Sequence, residues 1–432
     1  MNIIKSGKLL WFFLLSSPFI HGQEVLEIKR EQGEAIFLKE NLLLIAQKLE
    51  ISQAEAQVIQ AKLWPNPTLT VDQVNLWATE KQTSDGQGIP ALGNILGENR
   101  QFSFEFEQLI QTANKRKKLI ALEKVSVEKS KQYFEDILRN LKIEFRNSFT
   151  DLEYLQLSKQ VYQEQISSLE TLTSAYENQV VQGNYSKAEY IRIKALELEL
   201  KKELNSLIEQ ENEVQQELKN LMHVPSNIVL KIKEEGFLKP INKVEDLLLN
   251  SLFLEAQKNR PDYKLSKLQI EYADKLYAYE KSQKVPDVTF IAGYDRGGNA
   301  LWDFVGFGLS IDLPFFNRNQ GNIKKAKAEQ SQANILFHQK ELALENEIFK
   351  GVKNLQNAID FYSEIDLDYD ESLNMLIKSY TKNFRDRQIS LLEYKDFLDA
   401  YLENKIIILE AQKEINEKVE ELNYIIGLDV IK

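Results

Sequence analysis

Three histidines, three methionines and no cysteine are all that this chain of 432 residues offers for soft-metal or thiol chemistry. His21 falls in an apolar leader, His223 stands just before Pro225, and His338 is isolated. No spacing matches a metalloprotease, a phosphate loop or a nucleophile elbow. Soft cations need imidazole or sulfur in numbers the chain lacks, so catalytic, cofactor and metal sites are not expected. What remains is charge at helix starts. Glu189, Glu393 and Asp396 lie there, where the helix dipole alone favours carboxylates.

The elements around those acids are unusual. The stretches Ala91–Val224 and Phe315–Lys432 contain no proline, and Thr112–Met222 contains one glycine, Gly183. One helix from Thr112 to Val181 would be ~105 Å long at ~1.5 Å per residue. Val25–Leu63 and Ser186–Met222, stacked end to end, match that length. In the second half, Gln320–Phe384 pairs in the same way with Pro261–Lys284 stacked on Ser390–Ile426. Sparse apolar residues such as Ile191, Leu196, Leu198 and Leu200 among many Glu and Lys suit coiled-coil seams or the walls of a water-filled tube.

Residues 1–22 read as a signal peptide, with Lys5 and Lys8, an apolar Leu9–Leu15 core and a small residue at Gly22. Cleavage near Gln23 takes the net charge from −11 to about −13, which argues against a nucleic-acid partner. Without cysteine there is neither a disulfide nor a lipid-anchored terminus.

Helix breakers concentrate in two windows, 64–100 and 285–321. Ser186-Lys187-Ala188-Glu189-Tyr190 is echoed 204 residues later by Ser390-Leu391-Leu392-Glu393-Tyr394. This is an internal duplication. The expected organisation is a signal peptide (1–22), a first repeat (23–224), an equatorial linker (225–260) and a second repeat (261–432). Strands are expected at about 67–77 and 101–110 with a helical hairpin at 112–222, then at about 287–295 and 303–313 with a hairpin at 320–426.

The strand windows alternate with period two. Phe102, Phe104 and Phe106 alternate with Ser103, Glu105 and Glu107; Val305, Phe307, Leu309 and Ile311 alternate with Gly306, Gly308 and Ser310. Val288, Phe290, Ala292 and Tyr294 make a third row, and Leu69 and Val71 begin a fourth that falters at Asp72-Gln73. Lengths of about 9–11 residues suit tilted membrane strands, and Trp77, Tyr294, Trp302, Phe315 and Phe316 suit interfacial girdles. Four strands cannot close a barrel, and open edges are not tolerated in lipid. Three chains of four strands give twelve, so a homotrimer is expected.

The chain resembles the TolC-like outer-membrane efflux proteins. The resemblance is carried by Ala61-Lys62-Leu63-Trp64-Pro65-Asn66-Pro67-Thr68-Leu69, Arg260-Pro261-Asp262 and Leu313-Pro314-Phe315-Phe316-Asn317-Arg318-Asn319-Gln320-Gly321, and with the duplicated plan it covers nearly the whole mature chain. The first and third segments are most similar to the heavy-metal cation efflux branch. The resemblance implies a mainly α fold with membrane β structure: a trimeric α-barrel tunnel and a shared 12-stranded β-barrel. It further implies a periplasmic adaptor, an inner-membrane resistance–nodulation–division pump and a setting in outer-membrane lipid, with the tunnel reaching into the periplasm. The same architecture also serves type I protein secretion. A periplasmic coiled-coil adaptor is a more distant alternative, since such proteins usually have one hairpin.

The family geometry puts both hairpin tips at the periplasmic mouth. Gly183, Asn184, Tyr185 and Ser186 form one tip and Ser390 and Leu391 belong to the other; these are the expected adaptor contacts. Glu393 and Asp396 match positions of an acidic ring at the closed aperture, their first-repeat counterparts being Glu189 and Arg192. Arg385 and Arg387 would lock the mouth by pairing with those acids across protomers. Asn114 and Arg387 stand where the family often has glycine, which Gly183 retains.

Overall fold

The computed structural model describes residues 24–75, 101–233, 236–238, 248–296, 303–366 and 368–431. The leader with His21, the Gln23 start, and Trp77 and Trp302 lie outside these. Within them the chain runs β1 (Glu24–Ile28), α1 (Arg30–Glu40), α2 (Leu42–Lys62), β2 (Thr68–Asn75), β3 (Gln101–Ile110), α3 (Lys115–Val181) and α4 (Lys187–Met222). It continues with β4 (Ile228–Ile232), α5 (Leu249–Asn259), α6 (Pro261–Gln283), β5 (Val288–Arg296), β6 (Phe304–Ile311), α7 (Gln320–Ser363), α8 (Tyr369–Arg385) and α9 (Leu391–Ile426). The described residues fall into two compact units, each drawing on both halves of the sequence: those within 1–41, 144–239 and 362–416, and those within 42–143, 240–361 and 417–432.

In the second unit β2, β3, β5 and β6 form one antiparallel sheet in that order. Its register brings the apolar rows of the sequence side by side over much of their length. Leu69 pairs with Phe106, Phe106 with Ala292 and Ala292 with Phe307; one row on, Val71, Phe104, Tyr294 and Val305 line up the same way. The opposite face carries Thr70, Glu105, Gly293 and Gly306. The fourth row falters for a structural reason: the β2–β3 register shifts between Asp72 and Asn75. Among the described residues nothing covers the apolar face, with Phe307 75% and Leu309 70% exposed. β2 and β6 are the outer strands. Among the described residues no helix is long and apolar enough to cross a membrane, a test that does not bear on strands.

The Arg260-Pro261-Asp262 segment sets the start of α6 in the same unit. Buried Arg260 donates from Nε and Nη2 to the two Asp262 oxygens at 2.9 and 2.6 Å, and from Nη1 to the Ile425 carbonyl at 3.1 Å. Lys340 reaches Asp262 at 2.6 Å. Burial alone would raise the Asp262 pKa, but the bonds from Arg260 and Lys340 prevail and hold it below the usual carboxylate range. Gly427 ends α9 at φ 76°, and a Cβ there would meet the Arg260 backbone nitrogen at 3.1 Å. Glycine suits both the left-handed conformation and the close approach.

The first unit holds β1 and β4, a parallel pair running from Glu24↔Ile228 to Ile28↔Ile232. The far side of β4 is satisfied by side chains. Gln156 accepts from Ile232 N–H and donates to Leu230 C=O, both at 3.0 Å, and Gln215 accepts from Leu230 N–H at 3.1 Å. Two helical expectations, Val25–Leu63 and Gln320–Phe384, need correction here. Glu24–Ile28 is strand, the helix over Val25–Leu63 breaks at Asn41, and Gln320–Phe384 breaks between Ser363 and Tyr369. At the first break the Asn41 side chain donates to the Leu221 carbonyl at 2.8 Å. The second break falls on Asp366 and Asp368, residues of low helix propensity.

Candidate functional site

The two hairpin tips, both in the first unit, are closed by the same pair of devices 204 residues apart. α3 ends in a Schellman turn: Gly183 N–H donates to Val180 C=O at 3.0 Å and Asn184 N–H to Gln179 C=O at 2.9 Å. α8 ends identically, with Arg387 N–H to Phe384 C=O at 3.1 Å and Gln388 N–H to Asn383 C=O at 2.8 Å. Gly183 has φ 77° and Arg387 φ 60°, so arginine takes the left-handed conformation that glycine adopts freely. Asn114, where the resemblance to TolC-like proteins implies glycine, does the same at φ 57°.

A capping box then opens each following helix. Ser186 N–H donates to Glu189 Oε2 at 3.0 Å while Glu189 N–H returns to Ser186 Oγ at 3.2 Å. Ser390 and Glu393 repeat this at 2.7 and 3.2 Å. The backbone and hydroxyl bonds from the cap serine depress the pKa of both glutamates, which stay ionised near neutrality. Glu393 therefore has a local structural task. Asp396, one turn on, is exposed.

The sequence-expected residues are brought together in part. Arg387 Nε donates to Tyr185 Oη at 2.7 Å, its Nη2 donates to the Asn184 carbonyl at 3.2 Å, and the guanidinium lies 3.9 Å from the Tyr185 ring centroid. Within one protomer Arg387 thus engages the other tip, while Arg385 lies 3.7 Å from Asp386. Leu391 and Tyr185 are half-buried against the apolar core of this unit.

Sequence reasoning missed the aromatic chain behind that contact. Tyr185 lies 4.3 Å from Tyr176, Tyr176 stacks on Phe384 at 5.7 Å, and Phe384 stacks on fully buried Tyr394 at 4.9 Å. Tyr394 belongs to the repeated pentapeptide, which was the available signal. Lys395 ties α9 to α4 through Glu199 at 3.3 Å and bonds Asp399 at 2.8 Å. The tip assembly can hold two helical hairpins together and present fixed carboxylates. It contains no nucleophile–base pair.

Neither a known family profile nor a curated protein matches the sequence. Solved structures do. CusC, in a study of its folding and transmembrane channel formation, shares 15% identity over 93% of each chain with a TM-score of 0.71. The open MtrE outer-membrane channel of Neisseria gonorrhoeae shares 14% over 93% of this chain and 89% of that one, with a TM-score of 0.67. The CmeC outer-membrane channel of Campylobacter jejuni shares 13% over 99% and 93%, with a TM-score of 0.69. At such identities the likeness is one of fold. The chain is mainly helical with a four-stranded sheet, and its fold is that of TolC-like outer-membrane channel proteins.

Proposed function

We propose that the chain is the outer-membrane channel subunit of a tripartite efflux system. Three copies would pool their sheets into one 12-stranded barrel and pass small solutes or metal cations outward. A periplasmic adaptor and an inner-membrane resistance–nodulation–division pump would deliver the cargo. The observation that carries this reading is the β2-β3-β5-β6 sheet, apolar and uncovered on one face and with outer strands on both sides. A water-soluble sheet would cover that face, and lipid does not tolerate free edges. Joining β2 of one chain to β6 of the next satisfies both demands.

The heavy-metal branch is the finer reading, supported by the Leu313–Gly321 segment and by CusC among the structural neighbours. With three methionines and no cysteine this subunit would conduct such cations without selecting them. Its aperture would lie at the tips. Three copies of Asp396, flanked by the capped Glu393, would draw cations to the mouth, and Arg387 on Tyr185 would hold the hairpins closed. The adaptor would meet the turns at 183–186 and 390–391. Fractionation followed by planar-bilayer recording tests the proposal: recovery from outer membranes with a cation-preferring conductance is expected. Recovery in the soluble periplasmic fraction would overturn it.

A further inference from the structure

One level of this acidic protein is strongly basic. The antiparallel register places four strand–helix junctions at one end of the sheet, since Ile110 pairs with Val288 and Val288 with Ile311, and Thr68 pairs with Glu107 on the neighbouring strands. The junction segments are 62–66, 111–118, 280–287 and 312–327. Together they hold eleven Lys and Arg against three acids, Glu280, Asp287 and Asp312, in a chain of net charge −11.

Two of those acids are engaged locally. Asp287 accepts from Thr112 N–H at 2.8 Å and pairs with buried Lys115 at 2.9 Å. Glu280 accepts from the Asn319 amide at 2.6 Å. Among the described residues, two of the eleven cations are in ion pairs: Lys115, and Lys325 with Glu329 at 3.7 Å. Lys62, Lys117, Lys284, Arg318, Lys324 and Lys327 are exposed.

At two of the four junctions the placement runs against the helices' own electrostatics, whereas Lys62 and Lys281 close α2 and α6, where cations suit the dipole. α3 opens Lys115-Arg116-Lys117-Lys118 with no acid in its first turn, and α7 likewise has none. Cations at these two helix starts oppose the helix dipole, and an external anion would offset the part that Asp287 and Glu329 leave uncompensated. Exposed apolar groups adjoin the cations. Trp64 is 60%, Leu313 65%, Phe315 67% and Phe316 96% exposed. Arg116 lies 3.9 Å from the Trp64 ring centroid and donates to the Lys62 carbonyl at 3.0 Å. Aromatics at headgroup depth with lysine and arginine reaching into the phosphate layer are how a protein surface seats itself in a bilayer interface.

We infer that these four junctions form a collar that binds the anionic phospholipid headgroups of the membrane leaflet from which the helices emerge. The inference rests on the proposed membrane location of the sheet and adds the lipid class that its lower rim selects. The partner is a lipid surface because the cations spread over four junctions, bordered by apolar side chains that a free anion would leave in water.

The test is native mass spectrometry of the full-length protein after reconstitution in nanodiscs of phosphatidylglycerol or phosphatidylcholine with matched acyl chains. The wild type should retain phosphatidylglycerol preferentially, and the preference should shrink as salt is raised. Each juxtamembrane cation is worth roughly fivefold in attraction to an anionic surface. A variant with Lys117→Gln, Arg318→Gln, Lys324→Gln and Lys325→Gln should lose at least about tenfold of the preference. The same charge removed from the other unit, by Lys187→Gln, Lys202→Gln, Lys378→Gln and Lys382→Gln, should leave it intact. Equal retention of both lipids by the wild type overturns the collar and leaves the channel reading standing. Failure of the wild type to enter either bilayer overturns the channel reading itself.

Discussion

Arg387 and Tyr185 join the two hairpin tips of one protomer, the guanidinium lying 3.9 Å over the ring and donating Nε–H to its hydroxyl at 2.7 Å. The contact explains why the left-handed position filled by Gly183 in the first repeat is filled by arginine in the second. Glycine would relax the backbone and release the partner tip. Arg387→Ala is expected to raise the resting conductance in planar bilayers, and Arg387→Lys should not restore it, because an ammonium lacks the planar fork and stacking of guanidinium. Tyr185→Leu should reproduce the alanine phenotype.

The carboxylates at the mouth should separate by role. Asp396→Asn is expected to weaken block by multivalent cations while the tip stays folded. Ser390→Ala removes the cap hydroxyl and should cost about 1 kcal/mol of helix-start stability, seen as faster amide exchange over Leu391–Tyr394. Neutralising Glu393 and Asp396 together should reduce cation block further. Unchanged block would place the constriction elsewhere and leave both acids as helix-start residues.

The strand faces give a paired prediction. Phe104→Arg on the apolar face should cost about 2–4 kcal/mol in a lipid-facing site and prevent assembly. Glu105→Arg, on the opposite face, should assemble and alter ion selectivity. Heat-modifiable oligomer bands on gels, followed by conductance, check both; equal assembly defects would reverse the inside–outside assignment.

Asp262 carries a prediction about pH. Its pKa is depressed in the folded chain. Its contribution is therefore present above the unfolded carboxylate value, near pH 4, and is lost as pH falls through the lower folded value. Asp262→Asn should cost about 1–3 kcal/mol at neutral pH, because buried Arg260 loses its bidentate carboxylate and keeps Glu347 as its acidic partner. The thermal midpoint in detergent should fall by several degrees, and the gap to wild type should narrow only in strong acid.

What could be read from sequence was what is local. Alternation marked the four strands because one face is apolar and the other polar over most of their length, and even the faltering at Asp72 coincided with a register shift. The absence of proline and glycine marked α3 for the same reason. The β1–β4 pair was hidden because Glu24–Ile28 is short and finds its partner some 200 residues away. The Arg387–Tyr185 contact and its aromatic chain were hidden likewise, since nothing near Tyr185 announces an arginine on the other hairpin. The break before Tyr369 did leave a local trace, in Asp366 and Asp368.

The central claim is that one chain supplies a third of a barrel. β2 and β6 are the outer strands of a sheet whose apolar face is uncovered, so the protomer should not persist alone in a membrane. Native mass measurement of the protein extracted from outer membranes in mild detergent tests this most directly. The account predicts three copies per particle, stable to dilution; a well-folded single chain in the same detergent would contradict it.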